Sequence, residues 1–253
     1  MLRWIIALCL LTAACAPVPK PPASLPDQSS AQSDWTLVVD GRTVRVHLVA
    51  PDAPPPWPTA MLLHGASGLG RGFMVWPVAN ALAERGVAAA VVEYFDALPD
   101  DVRRKGAVRH FEQRERLIGQ MVNRLLAKPQ VLGPEIGVYG YSLGAFHGLA
   151  LAAKEPRIAA VAALAGGLPR HVPPSALARV APVLLVHGTR DRVVPYSRTR
   201  EAEVAWRQHG RPASIMALKN TGHVPSPADR ERLAAVTADF LAKELLFQVA
   251  SLP

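Results

Sequence analysis

Residues 136–144 read Ile-Gly-Val-Tyr-Gly-Tyr-Ser-Leu-Gly. The apolar run Ile136–Tyr139 has the length and content of a buried strand, and a helical stretch begins at Leu143. Between them lies G-x-S-x-G, Gly140 to Gly144, in the strand-then-helix setting that this motif requires. A chain turning so sharply holds its serine in a strained conformation. A Cβ two residues to either side would strike the neighbouring strand or helix. Ser142 then stands at a helix N-terminus, where unpaired N–H groups favour developing negative charge. A Gly-rich turn with a helix-capping serine would need no chemistry; the flanking strand and helix favour a nucleophile.

Such a serine needs an acid and then a histidine further along the chain. Pro182 to Asp191, PVLLVHGTRD, is a buried strand running into a turn that ends on Asp191. His223 lies in Asn220-Thr221-Gly222-His223-Val224-Pro225, directly after the strand ending at Leu218. Ser142, Asp191 and His223 all fall on loops at the carboxyl edge of one sheet, where α/β folds bind ligands. The remaining candidates are weaker. His187 belongs to the strand before Asp191 and reads as packing, His147 points along a helix body, and His64 shapes a loop. Asp96, Asp100 and Asp101 precede the serine, the wrong chain order. Asp229 and Asp239 sit in the last helix, where Asp229 suits the helix N-terminus. His64-Gly65-Ala66-Ser67-Gly68 follows the first parallel strand, and its glycines let the Ala66 N–H face the nucleophile. With the Leu143 N–H it would bind a tetrahedral oxyanion.

Around these residues the chain alternates strand and helix. Trp35–Val39 and Thr43–Val49 are β-branched runs joined by Asp40-Gly41, a strong hairpin signal. After the break at Pro51–Pro56, continuous apolar runs at Ala60–Leu63, Val87–Val92, Ile136–Tyr139, Ile158–Leu164, Val183–Val186 and Ser214–Leu218 suit strands covered on both faces. Helices are expected over Phe73–Arg85, Val108–Ala127, Leu143–Lys154, Ser197–His209 and Ala228–Leu246. In the second, Phe111, Ile118, Met121, Val122 and Leu125 share a face, with Arg114 and Arg116 elsewhere. The pattern implies an α/β fold: a mostly parallel central sheet, an N-terminal antiparallel hairpin, and helices on both faces.

The same residues resemble the α/β-hydrolase family from Thr59 to about Leu246. H-G-A-S-G-L (residues 64–69), E-Y-F-D (Glu93–Asp96), G-Y-S-L-G and G-T-R-D-R-V-V-P are most similar to its dienelactone hydrolase-like branch. That resemblance implies the α/β-hydrolase fold in a single compact domain without a large lid. Dienelactone hydrolase proper has a cysteine nucleophile where this chain has Ser142, and the glutamate of its first loop has no counterpart in His64–Gly68. Ordinary serine ester chemistry on a small-molecule ester is therefore expected, through an acyl-enzyme. Two other readings stay open: a peptidase or amidase of the prolyl-peptidase type, and a non-catalytic envelope protein that kept the fold for binding.

Composition sets the outer bounds. The 253 residues are 50% hydrophobic and 19% charged, which excludes a disordered chain. No apolar run reaches the roughly 18 residues of a bilayer span. Residues 1–14 have the layout of a signal peptide, with Arg3 before the apolar stretch Trp4–Leu11. Leu11-Thr12-Ala13-Ala14-Cys15 resembles a bacterial lipobox, and Cys9 and Cys15 are the two cysteines of the chain. Cys15 is thus the expected lipidation site, residues 15–33 a Pro/Ser-rich linker, and residues 34–253 the catalytic domain. The expectation is an exported, membrane-anchored lipoprotein, with a soluble periplasmic or secreted protein as the alternative. The net charge is +8. Its basic stretch, Arg103, Arg104, Lys105, Arg109, Arg114 and Arg116, reads as a solvated helix face with intrahelical pairs. No aromatic-interleaved basic motif points to nucleic acid. No Cys/His cluster has metal-ligand spacing, and neither a metal nor a cofactor is expected. The sequence leaves the oligomeric state open.

Overall fold

The computed structural model describes residues 32–99, 110–179 and 181–250. The signal peptide, Cys15 and nearly all of the linker lie outside the described residues, as do Asp100, Asp101, Arg103, Arg104, Lys105 and Arg109. Among the described residues no helix is long and apolar enough to cross a membrane.

Strands β1 (Gln32–Val39) and β2 (Arg42–Val49) form the expected hairpin, paired antiparallel from Gln32–Val49 to Val39–Arg42. Asp40 and Gly41 both have positive φ, 47° and 73°, the turn geometry whose twist matches that of the strands. β3 (Thr59–Leu63), β4 (Ala88–Val92), β5 (Ile136–Tyr141), β6 (Ile158–Leu164), β7 (Val183–Gly188) and β8 (Ala213–Leu218) complete one sheet in the order β1-β2-β4-β3-β5-β6-β7-β8. β2 meets β4 antiparallel, and every pairing from β4 onward is parallel. The runs without polar alternation, β3 through β7, are buried at every position.

Helices α1 (Trp76–Ala83) and α5 (Pro227–Ala250) cover one face of the sheet, packing Val78, Leu82, Leu241 and Leu245 against Leu62, Val91 and Val186. Helices α2 (Phe111–Leu126), α3 (Leu143–Ala152) and α4 (Ser197–Gln208) cover the other, with Ile118, Met121, Leu149 and Trp206 against Met61, Val138 and Leu185.

Two expectations are corrected here. The helix expected over Phe73–Arg85 starts at Trp76; Gly68–Met74 before it is 3₁₀, with Arg71 out of helical geometry. Gly70 and Gly72 disfavour a regular helix, and Pro77 fits its first turn, where a missing N–H costs nothing. Arg114 is not on a solvated face: it is 2% exposed. It lies on the stripe of Phe111, Ile118, Met121 and Leu125 at helical spacing, and its Nε donates to His147 Nε2 at 3.4 Å.

Candidate active site

β5 ends at Tyr141, and the chain turns at once into α3. Ser142, at the turn, has φ 52° and ψ −114°, a strained conformation for a residue with a side chain. Its amide donates to Leu164 O at 2.8 Å, and its carbonyl starts the helix by accepting from Ala145 and Phe146. The flanking glycines are needed for contact. A Cβ on Gly140 would lie 2.3 Å from Gly144 O, and one on Gly144 would lie 2.2 Å from Leu63 O and 2.7 Å from His64 O. Strand end, helix start and the end of β3 thus meet backbone to backbone at the serine.

A second close approach draws the other two residues together. A Cβ on Gly188 would lie 2.4 Å from both Thr221 O and Gly222 O. The loop after β8 therefore rests on the end of β7, clipped by Thr189 N–H to Leu218 O and Arg190 N–H to Thr221 O. Asp191 and His223 meet across this contact. The His223 Nδ1–H donates to Asp191 Oδ2 at 2.7 Å, leaving Nε2 bare to accept from the Ser142 hydroxyl at 3.0 Å. The structure brings Ser142, Asp191 and His223 into one hydrogen-bonded line.

The surroundings set the charges. Burial works against ionisation of Asp191. The hydrogen bond from His223 and the amides of Val194 and Val193, at 2.9 and 2.8 Å on Oδ1, more than offset it and hold the carboxyl below its ordinary range. Asp191 is therefore an anion at neutral pH. The Tyr141 phenol, pushed up to about 12 chiefly by burial, stays a neutral donor and points its hydroxyl at His223 O, 3.4 Å away.

The loop after β3 is held from behind. The Gly65 carbonyl accepts from His64 Nδ1–H at 2.8 Å and from Gly68 N–H at 3.1 Å. The His64 carbonyl accepts from the Tyr94 hydroxyl at 2.9 Å, and the His64 ring stacks on Tyr94 at 4.2 Å. In a planar trans peptide the N–H points opposite to its C=O. The N–H groups of Gly65 and Ala66 therefore point opposite to the tied His64 and Gly65 carbonyls. A Cβ on Gly65 would lie 3.5 Å from Ser142 Cβ, so this backbone passes beside the serine. Leu143 is the first residue of α3, so its N–H has no partner within the helix.

The rejected candidates have other attachments. Asp96 pairs with Arg45 at 3.0 Å and Asp239 with Arg85 at 2.7 Å, and Asp229 accepts from the Ser226 hydroxyl at 2.8 Å in the first turn of α5. His147 is buried against Phe111 at 4.0 Å. His171, on the loop after β6 and not among those candidates, is tied to Glu115 Oε2 at 2.8 Å. Three residues escaped sequence reasoning: Tyr94 and Tyr141 hold the site's backbone, and Gly188 admits the His223 loop. A fourth, His187, is not packing alone, since it reaches Asp191 Oδ2 at 3.1 Å. For His187 the one available signal was its place four residues before Asp191 across a tight turn.

The comparisons agree with this architecture. The chain resembles a dienelactone hydrolase from Anabaena variabilis at TM-score 0.70 and 20% identity, covering 86% of this chain and 99% of that one. It resembles Est1E from Butyrivibrio proteoclasticus at TM-score 0.63 and 18% identity, again over 86% and 99%. Against the acylaminoacyl peptidase of Pyrococcus horikoshii the TM-score is 0.64 at 15% identity, over 85% of this chain and 42% of that one. These likenesses show the fold, the α/β-hydrolase fold. Acyl-coenzyme A thioesterase 1 of Mus musculus is 34% identical over 131 residues, which is 52% of this chain and 29% of that protein, so the chain spans under a third of that relative. The model of the dienelactone hydrolase family matches residues 44–246. The chain belongs to the dienelactone hydrolase family.

Proposed function

We propose that the protein is a serine hydrolase that cleaves carboxylic esters or thioesters through an acyl-enzyme. The observation that carries this reading is the line Ser142 Oγ–His223 Nε2 at 3.0 Å and His223 Nδ1–Asp191 Oδ2 at 2.7 Å. In the reading, His223 Nε2 takes the hydroxyl proton as Ser142 Oγ bonds to the substrate carbonyl carbon. Asp191 stabilises the imidazolium, and the Ala66 and Leu143 amides bind the oxyanion. The C–O or C–S bond then breaks, and His223 returns the proton to the leaving alcohol or thiol. Water, deprotonated by the same imidazole, releases the acid and restores the serine. Membership of the dienelactone hydrolase family supports a hydrolase, and the acyl-coenzyme A thioesterase relatives support including thioesters. Export and tethering through Cys15 rest on the N-terminal sequence alone; Cys15→Ser should release the protein from membranes, and continued attachment would sink that part.

A fluorophosphonate probe tests the chemistry. Wild type should label and Ser142→Ala should not. Ser142→Ala and His223→Ala should each lower p-nitrophenyl acetate turnover by about 10³-fold or more, with Asp191→Asn close behind. Equal labelling of wild type and Ser142→Ala would leave a binding protein on this fold. Preference for a proline anilide over p-nitrophenyl and thioester substrates would replace the esterase reading with a peptidase.

A further inference from the structure

Asp191 carries a second imidazole. Its Oδ2 lies 2.7 Å from His223 Nδ1 and 3.1 Å from His187 Nε2, and the side chains of Asp191 and His187 are fully buried. His187 Nε2 also faces Val194 O at 2.9 Å. A carboxylate and a carbonyl only accept, so Nε2 must carry a proton. On the far side of the ring, Nδ1 meets Thr199 Oγ1, which is itself 2.6 Å from Gly166 O. Thr199 has one hydroxyl proton for these two neighbours. In a neutral ring Nδ1 accepts it; in a charged ring Nδ1 donates and Thr199 turns to Gly166. Burial lowers the affinity of His187 for a second proton, which favours the neutral form. In either form the N–H at Nε2 is shared between Asp191 Oδ2 at 3.1 Å and Val194 O at 2.9 Å.

This bond differs from packing. The other oxygen of Asp191 is already held by two amides. The part of the shared His187 proton that reaches Asp191 falls on Oδ2, the same oxygen that His223 uses. We propose that His187 is a positioning residue, whose Nε2–H, braced by Thr199, holds Asp191 Oδ2 in line with His223 and draws charge off it. The proposal rests on the reading of Ser142, His223 and Asp191 as the reacting set. Besides Asp191, the polar and titratable groups facing His187 are Thr199, Tyr196 at 5.8 Å between ring centroids, and His223. Those facing His223 are Asp191, Ser142 and Tyr141. Loss of the His187 proton leaves Asp191 with more charge for His223, which becomes more basic. The acid limb of kcat/KM, set by the proton that His223 must lose before reaction, moves to higher pH.

The test compares wild type with His187→Leu, which loses the donor, and His187→Gln, whose amide can donate to the same oxygen. Each is read by circular dichroism, by kcat and KM on p-nitrophenyl acetate, and by the pH profile of kcat/KM. His187→Leu should lower kcat about ten- to a hundredfold, the usual weight of a hydrogen bond to a charged group. KM should change little and the acid limb should rise. His187→Gln should recover most of the turnover and restore the limb. A limb unmoved in His187→Leu, or His187→Gln no better than His187→Leu, would overturn the proposal. Should His187→Leu fail to fold, Thr199→Val removes the brace, together with the Thr199 bond to Gly166 O, and leaves the His187 ring in place. Its limb should rise by a smaller step, and an unmoved limb there is equally fatal. Full turnover in Ser142→Ala would instead remove the catalytic reading itself, whatever His187 does.

Discussion

Gly144→Ala and Gly119→Ala are the same substitution inside two helices, and the structure gives them opposite signs. At Gly119, within α2, an added Cβ meets nothing within 4 Å. Helix propensity acts alone there and should stabilise the fold by about 0.5–1 kcal/mol. At Gly144, in the first turn of α3, the same propensity gain is available. The Cβ, however, would sit 2.2 Å from Leu63 O, well inside the 3.0 Å that real Cβ atoms keep, and 2.7 Å from His64 O. Both obstacles are backbone, so no side chain can swing aside; either α3 or the end of β3 must move by nearly 1 Å. Forced overpacking costs about 1–3 kcal/mol and more where the backbone must yield. After subtracting the propensity gain, Gly144→Ala should lose about 2 kcal/mol. Whichever element moves, a part of the proposed site moves with it: Ser142 at the head of α3, or the His64–Ala66 loop after β3. A displacement of that size is worth about a hundredfold in rate. Urea unfolding followed by circular dichroism gives the stabilities, and p-nitrophenyl acetate hydrolysis gives the rates. A Gly144→Ala protein as stable and as active as wild type would refute the backbone contact on which the geometry of the serine turn depends.

Tyr94→Phe removes the donor to the His64 carbonyl and leaves that buried acceptor without it. It should lower stability by about 1–3 kcal/mol and reduce kcat more than KM, since the loop it braces carries the Ala66 amide; steady-state kinetics showing neither change would detach Tyr94 from the site. Trp206, fully buried in α4 with its Nε1–H on Ala181 O at 3.0 Å, should cost about 3–5 kcal/mol when replaced by alanine, and a loss under 1 kcal/mol in urea unfolding would contradict its packing. Burial lowers the proton affinity of His64 and, more strongly, of His147. Both should still show neutral imidazole ¹³C shifts at pH 6.5, where an exposed histidine is about half protonated; half-protonated shifts would be the contrary result. The sign for stability follows. Below about pH 6.5 the unfolded chain binds protons that these folded histidines refuse, so stability falls with acidification, by at most about 1.4 kcal/mol per pH unit for each.

Much of the molecule is legible in local patterns. Strands β3 to β7 announce themselves as unbroken apolar runs because both faces of the sheet are covered, and Asp40-Gly41 announces the hairpin because few residue pairs tolerate two positive φ values. Arg114 departs from its expected place for the converse reason. Charge says where a side chain tends to go, whereas the helical stripe of Phe111, Ile118 and Met121 sets where position 114 must go. The 3₁₀ segment before Trp76 depended on Gly70, Gly72 and Pro77 acting together against an otherwise apolar pattern.

The division at the site follows the range of the forces involved. The turn that exposes Ser142, the chain order of serine, acid and histidine, and the glycines beside them are consequences of neighbouring residues, and could be read from the chain alone. What no linear reading contains is the approach of the Thr221–Gly222 loop to Gly188, the Tyr94 hydroxyl reaching back to the loop after β3, and the placing of His187 and His223 on one oxygen of Asp191. These contacts join strands distant in sequence, and packing chooses them only after the sheet has formed, because backbone carbonyls and buried protons must find partners once water is excluded.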